Sequence, residues 1–144
     1  MKKLMKLLCL LTAIAMIGVR PVNATENGNS KASSFFAASS VSLNKTSDTT
    51  FEAWFQVSAV ETMDELGASS ITIQKSYDGV TWESMITYTK DSTPKLICTN
   101  TGLHCECVRY AGTAGRYYRA KIVLYAKNGT SIGEMVEYTP TLQL

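Results

Sequence analysis

One histidine, His104, is all the imidazole this chain of 144 residues has. No His-Glu-x-x-His pair and no Gly-x-Ser-x-Gly elbow appears, so zinc-protease and serine-hydrolase chemistry have no visible machinery. The nine glycines stand singly at turns, and none forms a loop that cradles phosphate. Helical periodicity of ten or more residues is also missing, which excludes parallel βαβ units. A thiol nucleophile at Cys105 beside His104 fails on geometry, because sequence neighbours on a strand face apart. Asp64 and Glu65, next to a turn, read as capping residues. The expectation is a protein that is not an enzyme, with no catalytic residues and no cofactor.

What is there begins with targeting. Lys2, Lys3 and Lys6 precede an uncharged apolar run from Leu7 to Gly18. That run suits a signal peptide and falls short of the roughly 20 residues a spanning helix needs. Val22 and Ala24 suit the −3 and −1 positions, so cleavage is expected after Ala24. Cys9 lies inside the run rather than after it, which argues against a lipid anchor. The chain then divides into a signal peptide (1–24), a flexible polar leader (25–34) and one domain (35–144). Removing Lys2, Lys3, Lys6 and Arg20 leaves ten basic residues of the original fourteen against twelve acids, a net charge near −2. Neither nucleic acid nor membrane insertion is expected of such a mature chain.

From Phe35 onward the pattern has period two. Phe51, Ala53, Phe55, Val57 and Ala59 alternate with mostly polar neighbours, and Tyr118, Ala120, Ile122, Leu124 and Ala126 again fall on one side. Asp78-Gly79, between β-rich runs, predicts a type I′ hairpin turn, and Asn128-Gly129 predicts another tight turn. "ETMDELGAS" is the one passage with helical flavour, a single turn closed by Gly67. Strands are expected near 36–43, 49–60, 70–77, 80–88, 95–99, 105–111, 116–127 and 132–139. Seven to eight short strands separated by turns predict an all-β, antiparallel sandwich.

"GTAGRYYRAKIVLYAKNGTSIGE" resembles the F strand, turn and G strand of fibronectin-III and immunoglobulin-like domains. The resemblance implies that Tyr118 is a corner tyrosine whose hydroxyl returns to nearby backbone. From about Phe51 to Tyr138 the chain also resembles small secreted proteins of Clostridia-type Gram-positive bacteria. That likeness implies a secreted, extracellular location and a fold, and no activity. "SYDGVTW" is similar to a shortened Asp-box, with Ser76, Asp78, Gly79 and Trp82 present and one residue missing between Asp and Gly. Such boxes are structural: Asp78 caps the turn and Trp82 folds over it.

"CTNTGLHCECVRY" holds three of the four cysteines. It reads as two strands joined by a loop over 99–104, in which Cys98 can bridge Cys105 or Cys107. Loops of about eight and ten residues stabilise by roughly 2.5 and 2.7 kcal/mol, too similar to choose between. Reduced, mostly buried thiols are a further possibility. A metal site of Cys98, His104, Cys105 and Cys107 is the alternative. Its ligand types suit zinc or Cu(I), while its Cys-x6-Cys-x-Cys spacing matches no common zinc pattern.

Trp54, Tyr117 and Tyr125 fall opposite the apolar stripes, on outer sheet surfaces. There they would stack on sugar rings or anchor a protein, unless they only brace the sheet. The expected function is binding of an extracellular protein or carbohydrate, with a thiol or metal module as the alternative.

Overall fold

A computed structural model describes residues 34–144. The expected signal peptide, 1–24, and the expected leader through residue 33 lie outside the described residues. The described chain is all-β, with seven antiparallel strands in one curled sheet and one 3-10 turn, Pro94–Leu96. The strands are β1 Phe36–Lys45, β2 Thr50–Ser76, β3 Glu83–Thr89, β4 Ile97–Ala111, β5 Tyr117–Asn128, β6 Ser131–Tyr138 and β7 Leu142–Gln143.

β2 organises the sheet. Its first half lies between β1 and β4, and its second half between β5 and β3, with the start of β4 also alongside. β6 continues the sheet beyond β5, and β7 pairs with the start of β5. Two limbs result, β1–β2–β4 and β3–β2–β5–β6, joined through the same strand.

The inner side chains show why β2 bends without breaking. Phe51, Ala53, Phe55, Val57 and Met63 are buried, then Leu66 and Ala68, then Ile71 and Ile73. The parity reverses twice. Four residues, 59–62, stand opposite Gly102 alone, and Ser69 is an extra residue against β5. A bulge turns the strand and keeps one face inward while the sequence loses its alternation. β4 accommodates the bend at Asn100, whose φ is +51°, a conformation asparagine tolerates.

Several expectations therefore change. "ETMDELGAS" is extended strand, not a helical turn. Gly67 is no helix cap: its φ is +156°, and a Cβ there would drive into the Leu96 carbonyl. The runs near 49–60 and 70–77 are one strand. Those near 95–99 and 105–111 also merge, with the first two residues of that stretch taken by the 3-10 turn. The Asp78-Gly79 hairpin is not a two-residue type I′ turn. Lys75 pairs with Glu83, seven residues intervene, and only Gly79 has positive φ. Asn128-Gly129 does make a tight turn, with Asn128 opposite Ser131.

The limbs meet through Phe51 and Tyr118, whose rings are 5.0 Å apart. Tyr118 is buried, and its hydroxyl accepts a 2.8 Å hydrogen bond from the Thr113 amide. Ala120, Ile122 and Leu124 of β5 complete the inner face; each buried leucine or isoleucine contributes roughly 1.5–3 kcal/mol. Side chains close both seams between the limbs. Tyr88 donates to the Arg109 carbonyl (3.2 Å), and Lys95 donates to the Cys107 carbonyl. Across the other seam Ser39 donates to Glu137, and the Phe35 ring lies over Gly133. Such caps occupy edge backbone that would otherwise recruit another strand.

Candidate binding face

Trp54 points outward from the β1–β2–β4 limb, between Ser42 and Cys107. Its indole donates to Glu52 Oε2 at 3.1 Å, and Glu52 Oε1 takes the Arg109 guanidinium at 2.7 Å. This face answers its own polar groups. Tyr125 lies on the outer side of the other limb but is only 5% exposed. The Lys90 ammonium sits 4.2 Å from its ring centroid, and Glu65 holds both Lys90 (3.8 Å) and Lys127 (3.6 Å). Tyr117 lies eight residues back along β5, roughly 26 Å away in an extended strand, packed near Gly79. The three expected aromatics are thus not gathered, and Tyr125 is not a surface residue.

Cys98, Cys105 and Cys107 share the single strand β4, where Cys98 and Cys105 are roughly 20 Å apart. No disulfide joins them; the expected stapled hairpin needed them on facing strands. His104 pairs with Val57 on the inner side and Cys105 with Gln56 on the outer. His104 Nε2 donates to the Lys95 carbonyl at 3.0 Å, and its ring meets Phe55 edge-on. Among the described residues, no three His, Cys, Asp or Glu side chains converge to hold a metal ion. Burial, then the negative charge of Glu52, pushes the Cys107 thiol up to about 11, which makes it a poor ligand and nucleophile at neutral pH.

The Asp78 loop keeps its structural part. Asp78 Oδ1 accepts from the amides of Thr81 and Val80, both at 2.8 Å, and from the Ser76 hydroxyl. These bonds, Thr81's first, hold the carboxyl well below the usual carboxylate range. Trp82, however, stacks on β5 rather than serving the turn alone.

The arrangement the sequence reading missed centres on Arg119. Its guanidinium lies between Trp82 (4.4 Å to the ring centroid) and Tyr138 (4.8 Å). Its Nε donates to Gln74 Oε1 at 2.7 Å. Gln74 is its partner across β2, Tyr138 faces neighbouring Lys121 across β6, and Trp82 arrives from the loop before β3. Thr72 and Thr87 bond hydroxyl to hydroxyl in the next row, at 2.9 Å. Beyond the end of β2, Tyr77, 66% exposed, carries Arg116 at 4.3 Å and Lys75 at 5.3 Å. Lys75 pairs with the buried Tyr118 and so belongs to the inner side. The result is an open, hydroxyl-rich sheet surface with two aromatic rings, Trp82 and Tyr138, and the cations Arg119 and Lys121. It offers planar stacking and donors, and no nucleophile–base pair.

A signal existed. Arg119 and Lys121 are two apart on the polar side of the most regular strand. A turn pairing Asn128 with Ser131 also dictates that Lys121 faces Tyr138.

No family model matches the chain, and no curated protein matches it. A solved structure, described as a protein from Archaeoglobus fulgidus, is similar over 76% of this chain and 97% of its own. Identity is 10% and the TM-score 0.35. A likeness at that level bears on neither fold family nor activity.

Proposed function

We propose that this is an exported, non-catalytic domain of fibronectin-III-like sandwich type that binds an extracellular glycan. The binding surface is the outer side of β3–β2–β5–β6. Two observations support the sandwich type. Six of the seven strands divide into groups of three and four that share β2, much as immunoglobulin-like domains divide theirs between two sheets. Tyr118 also makes the hydroxyl-to-backbone bond of a corner tyrosine.

The observation that carries the binding role is the clamping of Arg119 between Trp82 and Tyr138. Stacking and the Gln74 bond remove rotamer freedom from a side chain that otherwise loses up to about 2 kcal/mol on ordering. Such a surface is preorganised for a ligand. Rings with one apolar face suit sugar rings, and the surrounding threonine, serine and glutamine groups suit their hydroxyls. A protein interface would place a charge-poor apolar patch at its centre; this centre is charged and hydroxylated.

The test is retention on immobilised polysaccharides in affinity electrophoresis. Trp82→Ala should abolish retention with the melting temperature little changed, while Trp54→Ala should retain binding. Equal behaviour of the two variants would refute the assignment of the face.

A further inference from the structure

Charge pairing inside the domain says more about the ligand. The described residues include nine lysines and arginines. Six are held by acids: Lys45, Lys75, Lys90, Lys95, Arg109 and Lys127. The three that no carboxylate answers are Arg116, Arg119 and Lys121, within six residues on β5 and its lead-in. Arg119 and Lys121 share the outer face, roughly 7 Å apart along the strand. The acids nearest in register do not compensate them. Glu137 stands opposite the buried Ile122, on the other side of the sheet, and takes the Ser39 hydroxyl. Glu83 is engaged with Lys75 (3.9 Å), and Glu134 stands opposite Tyr125, two rows from Lys121. All three cations lie beside the rings: Arg116 over Tyr77, Arg119 between Trp82 and Tyr138, Lys121 across from Tyr138.

Acids outnumber bases in this domain, so a local cluster without counter-charges is not a by-product of composition. Arg119 is also oriented: Gln74 takes the Nε–H and the rings hold the plane, which leaves the Nη edge of the fork to a planar oxyanion. We infer that the ligand is an acidic polysaccharide, a sugar chain carrying carboxylates. Its rings stack on Trp82 and Tyr138 while its anions meet Arg119 and Lys121. This inference rests on the glycan-binding reading and specifies the substrate class of the same face.

The experiment measures binding of the full exported chain to polygalacturonate, to uncharged dextran and to single-stranded oligothymidylate, at about 50 and about 300 mM salt. Polygalacturonate should bind at least about tenfold more tightly than dextran and weaken as salt shortens the screening length from about 14 to about 6 Å. Arg119→Gln and Lys121→Gln should each lower that affinity about three- to tenfold, and Lys121→Arg should preserve it. Melting temperatures of all variants separate lost contacts from lost fold. If dextran binds as well as polygalacturonate, with Trp82→Ala removing both, the acidic-ligand inference is overturned and the glycan-binding reading stands. If neither polysaccharide binds, both are overturned. Preferential binding of oligothymidylate would overturn both as well and reassign the face to nucleic acid.

Discussion

The two outer faces of this sheet are built from the same strand yet differ in how they treat charge. On the β1–β2–β4 face, Trp54 bonds Glu52, Glu52 bonds Arg109, and the outward carbonyl of Cys107 is capped by Lys95. On the β3–β2–β5–β6 face, Glu65 holds Lys90 and Lys127 at the Tyr125 end. Toward the other end Arg119 lies between aromatic rings, Lys121 stands opposite Tyr138, and neither meets an acid. Each face has an indole, so aromatic content does not distinguish them. What does is whether the polar groups are satisfied within the fold. A closed set of partners stabilises; an open set is free to recognise something else.

The comparison is broken most severely at the shared bend. Gly67→Ala places a methyl group into the Leu96 carbonyl, and the backbone of β4 or β2 must move. We expect a loss above about 3 kcal/mol, in the range that marks disrupted packing, seen as a large fall in the urea midpoint. Both faces should be lost in one transition; separate transitions would show that the limbs fold independently.

Tyr118→Phe acts between the limbs and should cost about 1–2 kcal/mol, because the Thr113 amide loses its acceptor. Ligand binding should be unaltered, since the hydroxyl faces neither outer surface.

The closed face has a pH signature of its own. The Cys107 thiol rises from an ordinary 9.0 to about 11 in the fold, so folding favours its neutral form. Its stabilisation is fully present below about pH 9 and is lost as pH rises from there toward 11. Stability measured across that window should fall less for Cys107→Ser than for the parent. Alkylation of Cys107 should likewise be slow at pH 8. Rapid alkylation there would show that the face is open.

The smallest effect belongs to the surface ion pair. Arg109→Gln should change stability by less than about 0.5 kcal/mol, because Arg109 is largely exposed. A larger loss would mean that the Glu52–Arg109–Trp54 set acts as one unit.

How much of this was readable varies along the chain. β5 was plain: Tyr118 to Ala126 alternate without interruption, and the Asn128-Gly129 turn sets the β6 register. β2 was not. Its buried parity reverses twice in quick succession between Met63 and Ile71, and a reversed alternation imitates a helical period. "CTNTGLHCECVRY" misled differently. Glycine and polar residues over 99–104 read as a loop, while in the fold Asn100 turns the chain and β4 runs on along β2. The binding face was hidden because its members, Trp82, Arg119 with Lys121, and Tyr138, come from three places in the sequence that only register brings together.

Alternation, turn residues and the absence of helical periods determined by themselves that the domain is antiparallel β, because a side-chain period of two admits one kind of buried surface. That residues 50–76 form one bent strand, that the cysteines lie in a row, and that three cations lack acids while Trp54's neighbours have them were decided by tertiary structure. The reason is physical. Strand pattern is set by each residue's nearest neighbours along the chain, whereas bulge placement and charge compensation depend on which atoms arrive from distant strands.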